Sequence, residues 1–247
     1  MFISNILASF IANLIFGALL FLVGLIPFLL IKRARLLNFF GLSKHKMLYV
    51  YISNISVIEG GSIGVDNVQR LYAGLVVTYG ESLYANNFIS LFNQIIPSLS
   101  NQYGVFKYLL LSDISTNIYP AHPRFTIPSN GTIVSIGSPG YNFVSGWIQN
   151  TYQNSIKFSE NNTSFFVNSL PEYSSPRCGF IQRLIDSSNN RHIYYIAGIN
   201  EYSTVNAFNY FTKNWKTFNK KYSFCQSFLV LVKFEDHRSE IILERNI

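Results

Sequence analysis

Residues 132–142, Thr132-Ile133-Val134-Ser135-Ile136-Gly137-Ser138-Pro139-Gly140-Tyr141-Asn142, decide how the rest of the chain is read. The first five are a short apolar, β-branched run of the kind that forms a buried strand. Gly137-Ser138-Pro139-Gly140 interrupts it with turn residues. Residues 143–152 then show helical spacing, and Asn142 stands where a helix N-cap belongs. A core strand that turns directly into a helix is the repeating unit of an α/β sheet.

Working outward, the same alternation recurs. Residues 47–54 (MLYVYISN) read as a buried strand, 80–96 as a helix stopped by Pro97, and 106–111 as a strand running into Ser112-Asp113. Residues 157–175 form a polar excursion or hairpin. Residues 179–186 and 192–198 are two strands joined across Ser187-Ser188-Asn189-Asn190, and 202–222 read as a long helix. Residues 228–234 and 239–243 make a last hairpin. The expected architecture is one α/β mixed-sheet domain over 47–247, parallel in its first part, with antiparallel additions.

The N-terminus has a different character. The chain is 49% hydrophobic and only 13% charged, against about 25% charged in ordinary soluble domains. Much of the imbalance is local, because residues 2–31 contain no charge at all. A bilayer core of roughly 30 Å needs about 20 apolar residues, so the segment has length for one span and not for two. It lacks a basic start and a small-residue cleavage site, and so differs from a secretory signal. Residues 1–31 are therefore expected to form a single transmembrane helix.

Lys32, Arg33, Arg35, Lys44 and Lys46 follow at once, and 32–46 reads as a basic juxtamembrane linker. Positive flanks stay on the cytoplasmic side, which puts the N-terminus out and the α/β domain in the cytoplasm. Sequons at Asn54, Asn130 and Asn161 point the opposite way, but arise readily by chance in a chain rich in Asn, Ser and Thr. With those five cations set aside, 14 basic and 12 acidic residues remain, so the overall basicity does not argue for nucleic acid. The expected partner of the basic cluster is membrane lipid. Asn5, Ser9, Asn13, Gly17 and Gly24 mark a small-residue stripe. Self-association through the membrane helix and the ordinary composition of such helices explain it equally well.

Ligands of open α/β sheets bind beyond the carboxyl ends of the strands. That rule selects the turn at Gly60, Gly61, Ser62, Ile63 and Gly64; Asp113; the loop at Gly137, Ser138 and Asn142; and the segment from Gly198 to Thr204. Backbone N–H groups of a glycine turn before a helix can cradle an anion, though each turn has an ordinary structural reading as well. The Gly60–Gly64 turn matches neither the dinucleotide fingerprint nor the P-loop. Glu81 is the candidate catalytic carboxylate, with a role as a first-turn helix acid weighed above it. Lys213, Lys216, Lys220 and Lys221 read as a solvated helix face, with membrane contact the lesser option. No metal motif or cofactor fingerprint is present, and Cys178 and Cys225 are too few for a disulfide framework.

The run Ile136-Gly137-Ser138-Pro139-Gly140-Tyr141-Asn142, with residues 179–183 and 195–198 before Ser203-Thr204, resembles a loose group of bacterial Rossmann-like domains. These are the nucleoside deoxyribosyltransferase-like, SLOG-like and TIR-like folds. The resemblance implies a nucleotide-type small-molecule ligand, in bacterial defence or stress signalling, held by Gly137, Ser138, Asn142, Gly198 and Thr204. It makes Glu81 the counterpart of a catalytic glutamate, without a clear second acid. Three readings stay open: a membrane-anchored nucleotide sensor, a tethered protein-interaction scaffold, and an N-glycosidase or transferase.

Overall fold

A computed structural model describes residues 2–45, 47–53, 79–94, 115–120, 126–166, 172–235 and 238–247. In chain order these form α1 (Phe2–Phe39), α2 (Leu42–His45), β1 (Met47–Ile52), α3 (Tyr79–Gln94), β2 (Ser115–Pro120) and β3 (Gly131–Ile136). There follow α4 (Phe143–Thr151), β4 (Lys157–Phe158), β5 (Phe165–Phe166), β6 (Cys178–Asp186) and β7 (Arg191–Gly198). The chain ends with α5 (Glu201–Lys221), β8 (Phe228–Glu235) and β9 (Arg238–Asn246). The chain is a mixed α/β protein.

Seven strands make one sheet in the order β2-β1-β3-β7-β6-β8-β9, and β4 and β5 pair separately. β2, β1, β3 and β7 are mutually parallel; β6, β8 and β9 continue the sheet with antiparallel pairings. β3 and β7 are buried at every position, as expected of central strands covered on both faces. The expected strands at 47–54, 132–136, 179–186 and 192–198 and both late hairpins correspond to β1, β3 and β6 to β9. The strand expected at 106–111 lies outside the described residues. β2 was not foreseen, because Ser115-Thr116-Asn117-Ile118-Tyr119-Pro120 is a largely polar stretch without a core-type run.

Alternate side chains of the sheet feed two cores. Val50, Val134, Tyr194, Ile196 and Val230 pack with α1, α2, α3 and α5 on one face. Ile133, Tyr195, Phe180 and Leu231 pack with α4 and the β4–β5 excursion on the other. Because side chains along a strand alternate with period two, Tyr194 and Tyr195 belong to different cores.

The stretch 32–46, expected as a linker, is built differently. α1 continues as helix to Phe39, and Leu36, Phe39, Phe40 and Leu42 are buried in the first core. The sheet also binds the helix end. Tyr194 of β7 donates its hydroxyl to the Phe39 carbonyl, and Thr132 of β3 donates to that of Phe40. Arg183 of β6 is fully buried and lies between the rings of Phe39 and Phe228, at 5.2 and 4.8 Å from their centroids. Its guanidinium donates to carbonyls of Phe39, Ser223 and Gln226. Basic residues masked this in the sequence, where apolar positions 36, 39 and 40 already had helical spacing.

Earlier in α1 the described side chains are differently placed. Leu14, Ile15, Phe16, Leu20, Val23 and Phe28 stand exposed. Counting only the described residues, no helix is long and apolar enough to cross a membrane.

Candidate functional site

From β1 the chain builds β2 on one side and β3 on the other, so the carboxyl ends of β1 and β3 flank a change of winding direction. Crevices of open α/β sheets lie at such points. The residues gathered there are Ser53, directly after β1; Gly137, directly after β3; and Glu81, in the first turn of α3.

Glu81 is 3% exposed. Its carboxylate accepts from the Ser53 backbone N–H at 2.7 Å and from the Ser53 hydroxyl at 3.0 Å. Burial pushes its pKa up, the two Ser53 hydrogen bonds pull it down, and the negative charge of Glu201 adds to the rise; the result is about 7. The group thus titrates near neutrality, where proton transfer is most useful. In the same geometry it ties α3 to β1 from the first-turn position expected of it.

Gly137 has φ +109, a conformation L side chains rarely adopt, and a Cβ there would lie 2.0 Å from Ser53 Oγ and 3.2 Å from Glu81 Oε1. Its N–H donates to the Ile196 carbonyl at 3.0 Å, which links the turn to β7. Ser138 is nearly buried, and among the described residues no hydrogen bond of its hydroxyl is found. Asn142 is fully buried and fully engaged. Its Oδ1 accepts from the N–H groups of Val144 and Ser145, and its Nδ2 donates to the carbonyls of Ile136 at 2.7 Å and Tyr51 at 3.2 Å. Of its two expected roles the structure realises the cap, and every polar atom is already spent on the fold.

Gly198 and Thr204 are likewise turned toward each other. The Gly198 N–H donates to Thr204 Oγ1 at 2.9 Å, and a Cβ on Gly198 would meet Ser203 Oγ at 2.1 Å. Asn200 and Ser203 close a capping box at the start of α5. Sequence reasoning passed over two participants. Ser53 sits at the end of a run read only as strand. Glu201 lies inside the selected segment and its carboxylate approaches Gly80, where a Cβ would stand 2.8 Å from Oε1. Gly60, Gly61, Ser62 and Asp113 lie outside the described residues.

At the opposite end of the sheet, Asp186 accepts from Tyr152 at 2.6 Å and pairs with Arg191 at 2.6 Å, while Arg191 also lies over Trp147. Burial raises the Asp186 pKa, but hydrogen bonds from Tyr152, Asn189 and Arg191 outweigh it and bring it to about 2. This closed network ties the β6–β7 turn to α4. Among the described residues no group of His, Cys, Asp or Glu could hold a metal ion. Comparison with protein-family models, curated proteins and solved structures finds no match.

Proposed function

We propose that this chain is a single-pass membrane protein whose Rossmann-like domain binds a nucleotide-type ligand in the cytoplasm, as a sensor or effector. The observation that carries the ligand reading is the buried Glu81 carboxyl, held by Ser53 against Gly137 at the winding change between β1 and β3. In its neutral form this acid offers a hydrogen-bond donor without repelling phosphate. Ser138, with no described partner, and the starts of α3 and α4 supply polar groups beside it. The anchor reading rests on the uncharged segment 2–31, on the exposed apolar side chains of α1 and on the cations that follow.

The test is calorimetric titration of the detergent-solubilised full chain with a nucleotide panel. One nucleotide should bind, with affinity about tenfold weaker in Ser138→Ala, the worth of one hydrogen bond of about 1.4 kcal/mol. Binding by no member of the panel, or identical affinity in the variant, speaks against the site.

The approach of Glu201 to the Glu81 region favours one alternative, an N-glycosidase. It supplies the second carboxylate that the sequence reading lacked. Release of a free base from NAD or a nucleoside, abolished in Glu81→Gln, would establish this activity in place of sensing.

A further inference from the structure

Where α1 meets α5 there is a cleft of about 510 Å³. α1 contributes Phe28, Ile31, Lys32 and Arg35, spaced three, four and seven residues apart and therefore on one helix face. α5 contributes Trp215, Lys216, Asn219 and Lys220. Four cations converge on this space and, among the described residues, no acidic residue lines it. Among the described residues none of the four makes a salt bridge.

The cleft is graded along α1. Phe28 and Ile31 border its N-terminal end and Lys32 and Arg35 its C-terminal end, a climb of about 10 Å at 1.5 Å per residue. The step from acyl boundary to outer headgroup is roughly 5–8 Å per leaflet, so the climb is long enough to span it. Trp215, buried in the first core and packed near Phe39 with ring centroids 6.3 Å apart, fixes the α5 side of the cleft against α1.

We propose that this cleft binds the headgroup of an anionic phospholipid, with the phosphate among Lys32, Arg35, Lys216 and Lys220 and the acyl chains along Phe28 and Ile31. The site rests on the membrane-anchor reading above. It also gives Lys216 and Lys220 a role beyond a solvated face. The cations of α1 alone would be a diffuse basic flank; the facing cations of α5 make a walled site that can prefer one headgroup over another.

The full chain is first tested for release from membranes by alkaline carbonate, then reconstituted in nanodiscs of phosphatidylcholine with a minor share of phosphatidylglycerol. Retained lipid is read by native mass spectrometry. Phosphatidylglycerol should be enriched on the protein, and Lys216→Gln with Lys220→Gln should lower that preference about 25-fold, roughly fivefold for each surface cation. Both positions are exposed, so folding is unaffected, and Lys213→Gln, outside the cleft, should leave the preference intact. Release by carbonate would overturn the anchor and the lipid site together. An embedded chain that retains both lipids equally would overturn the lipid site alone. Capture of inorganic phosphate through the same lysines, without lipid preference, would also overturn the lipid assignment.

Discussion

Arg183 meets Phe39 twice: Nη1 donates to the Phe39 carbonyl at 3.5 Å, and the guanidinium lies 5.2 Å from the centre of the Phe39 ring. The residues are 144 positions apart, and through them the middle of the sheet grips the last turn of α1. Among the described residues no carboxylate pairs with the buried guanidinium; carbonyl oxygens and two aromatic faces replace its water. A helix C-terminus, with its unpaired carbonyls, is a favourable place for such a cation.

Replacing Arg183 by Met removes the charge but leaves the carbonyls of Ser223, Gln226 and Phe39 short of donors. A loss of about 3 kcal/mol is expected. Lys, which lacks the planar fork, should recover less than half of it. Thermal unfolding of the full chain in detergent measures both, and unchanged midpoints would remove Arg183 from the list of structural anchors.

Truncation separates helix from linker. A fragment beginning at Lys32 keeps Leu36, Phe39, Phe40 and Leu42, whereas one beginning at Lys44 loses all four. At about 1.5–3 kcal/mol per buried side chain, that loss rivals the roughly 5–15 kcal/mol total of a typical domain. The longer fragment should unfold cooperatively in a denaturant titration, and the shorter should not. Equal cooperativity would show that the end of α1 is dispensable.

Glu81 predicts a pH dependence of definite sign. Its folded pKa, about 7, exceeds its ordinary value of 4.5, so the folded state holds the proton more tightly than the unfolded chain. The resulting stabilisation is complete below pH 4.5 and declines as pH rises through 7, by about 3 kcal/mol in all. Asp186 acts in the opposite sense, with stability lost as pH falls from its ordinary 3.8 toward 2. Glu81→Gln should flatten the upper slope and leave the acid limb in place; denaturant midpoints across pH 4–8 report the first of these.

Gly137→Ala should be among the costliest small substitutions, because the added methyl needs the space of Ser53 Oγ at a backbone angle that alanine resists. A loss of about 2–4 kcal/mol is expected. Ser53→Gly in the same chain removes the clash but not the strain, and so should restore only part. Full restoration would show that the backbone angle costs little, and none that Ser53 is not the obstacle.

How much of this was legible follows from the kind of signal each part leaves. β3, β6 and β7 announce themselves as unbroken apolar runs, and α5 by its periodicity and its Asn200 start, because burial writes composition directly. β2 left no such trace: its run is largely polar, and its pairing with β1 comes from backbone groups that every residue has. Glu81 was visible as an acid at a helix start. Its burial was not, since that depends on Ser53, 28 positions earlier, and on Gly137, 56 later. Asn142 was legible as a cap, while its donation to Tyr51 across 91 residues required the fold. The end of α1 reads as a linker in sequence because charges at 32, 33 and 35 break up the apolar pattern that 36, 39 and 40 continue.

Beyond Pro27, which removes one backbone hydrogen bond inside α1, residues 28–39 run as continuous helix into the sheet's grip at Phe39 and Phe40. A turn of that segment about its axis, or a slide along it, bears directly on β3, β6 and β7. The angular phase between the outer helix and the Glu81 crevice is then set by residue count: one residue inserted between Ile31 and Leu36 would rotate one against the other by about 100°. Between Phe28 and Phe39 direction is encoded as residue count, where a flexible tether would have encoded only reach.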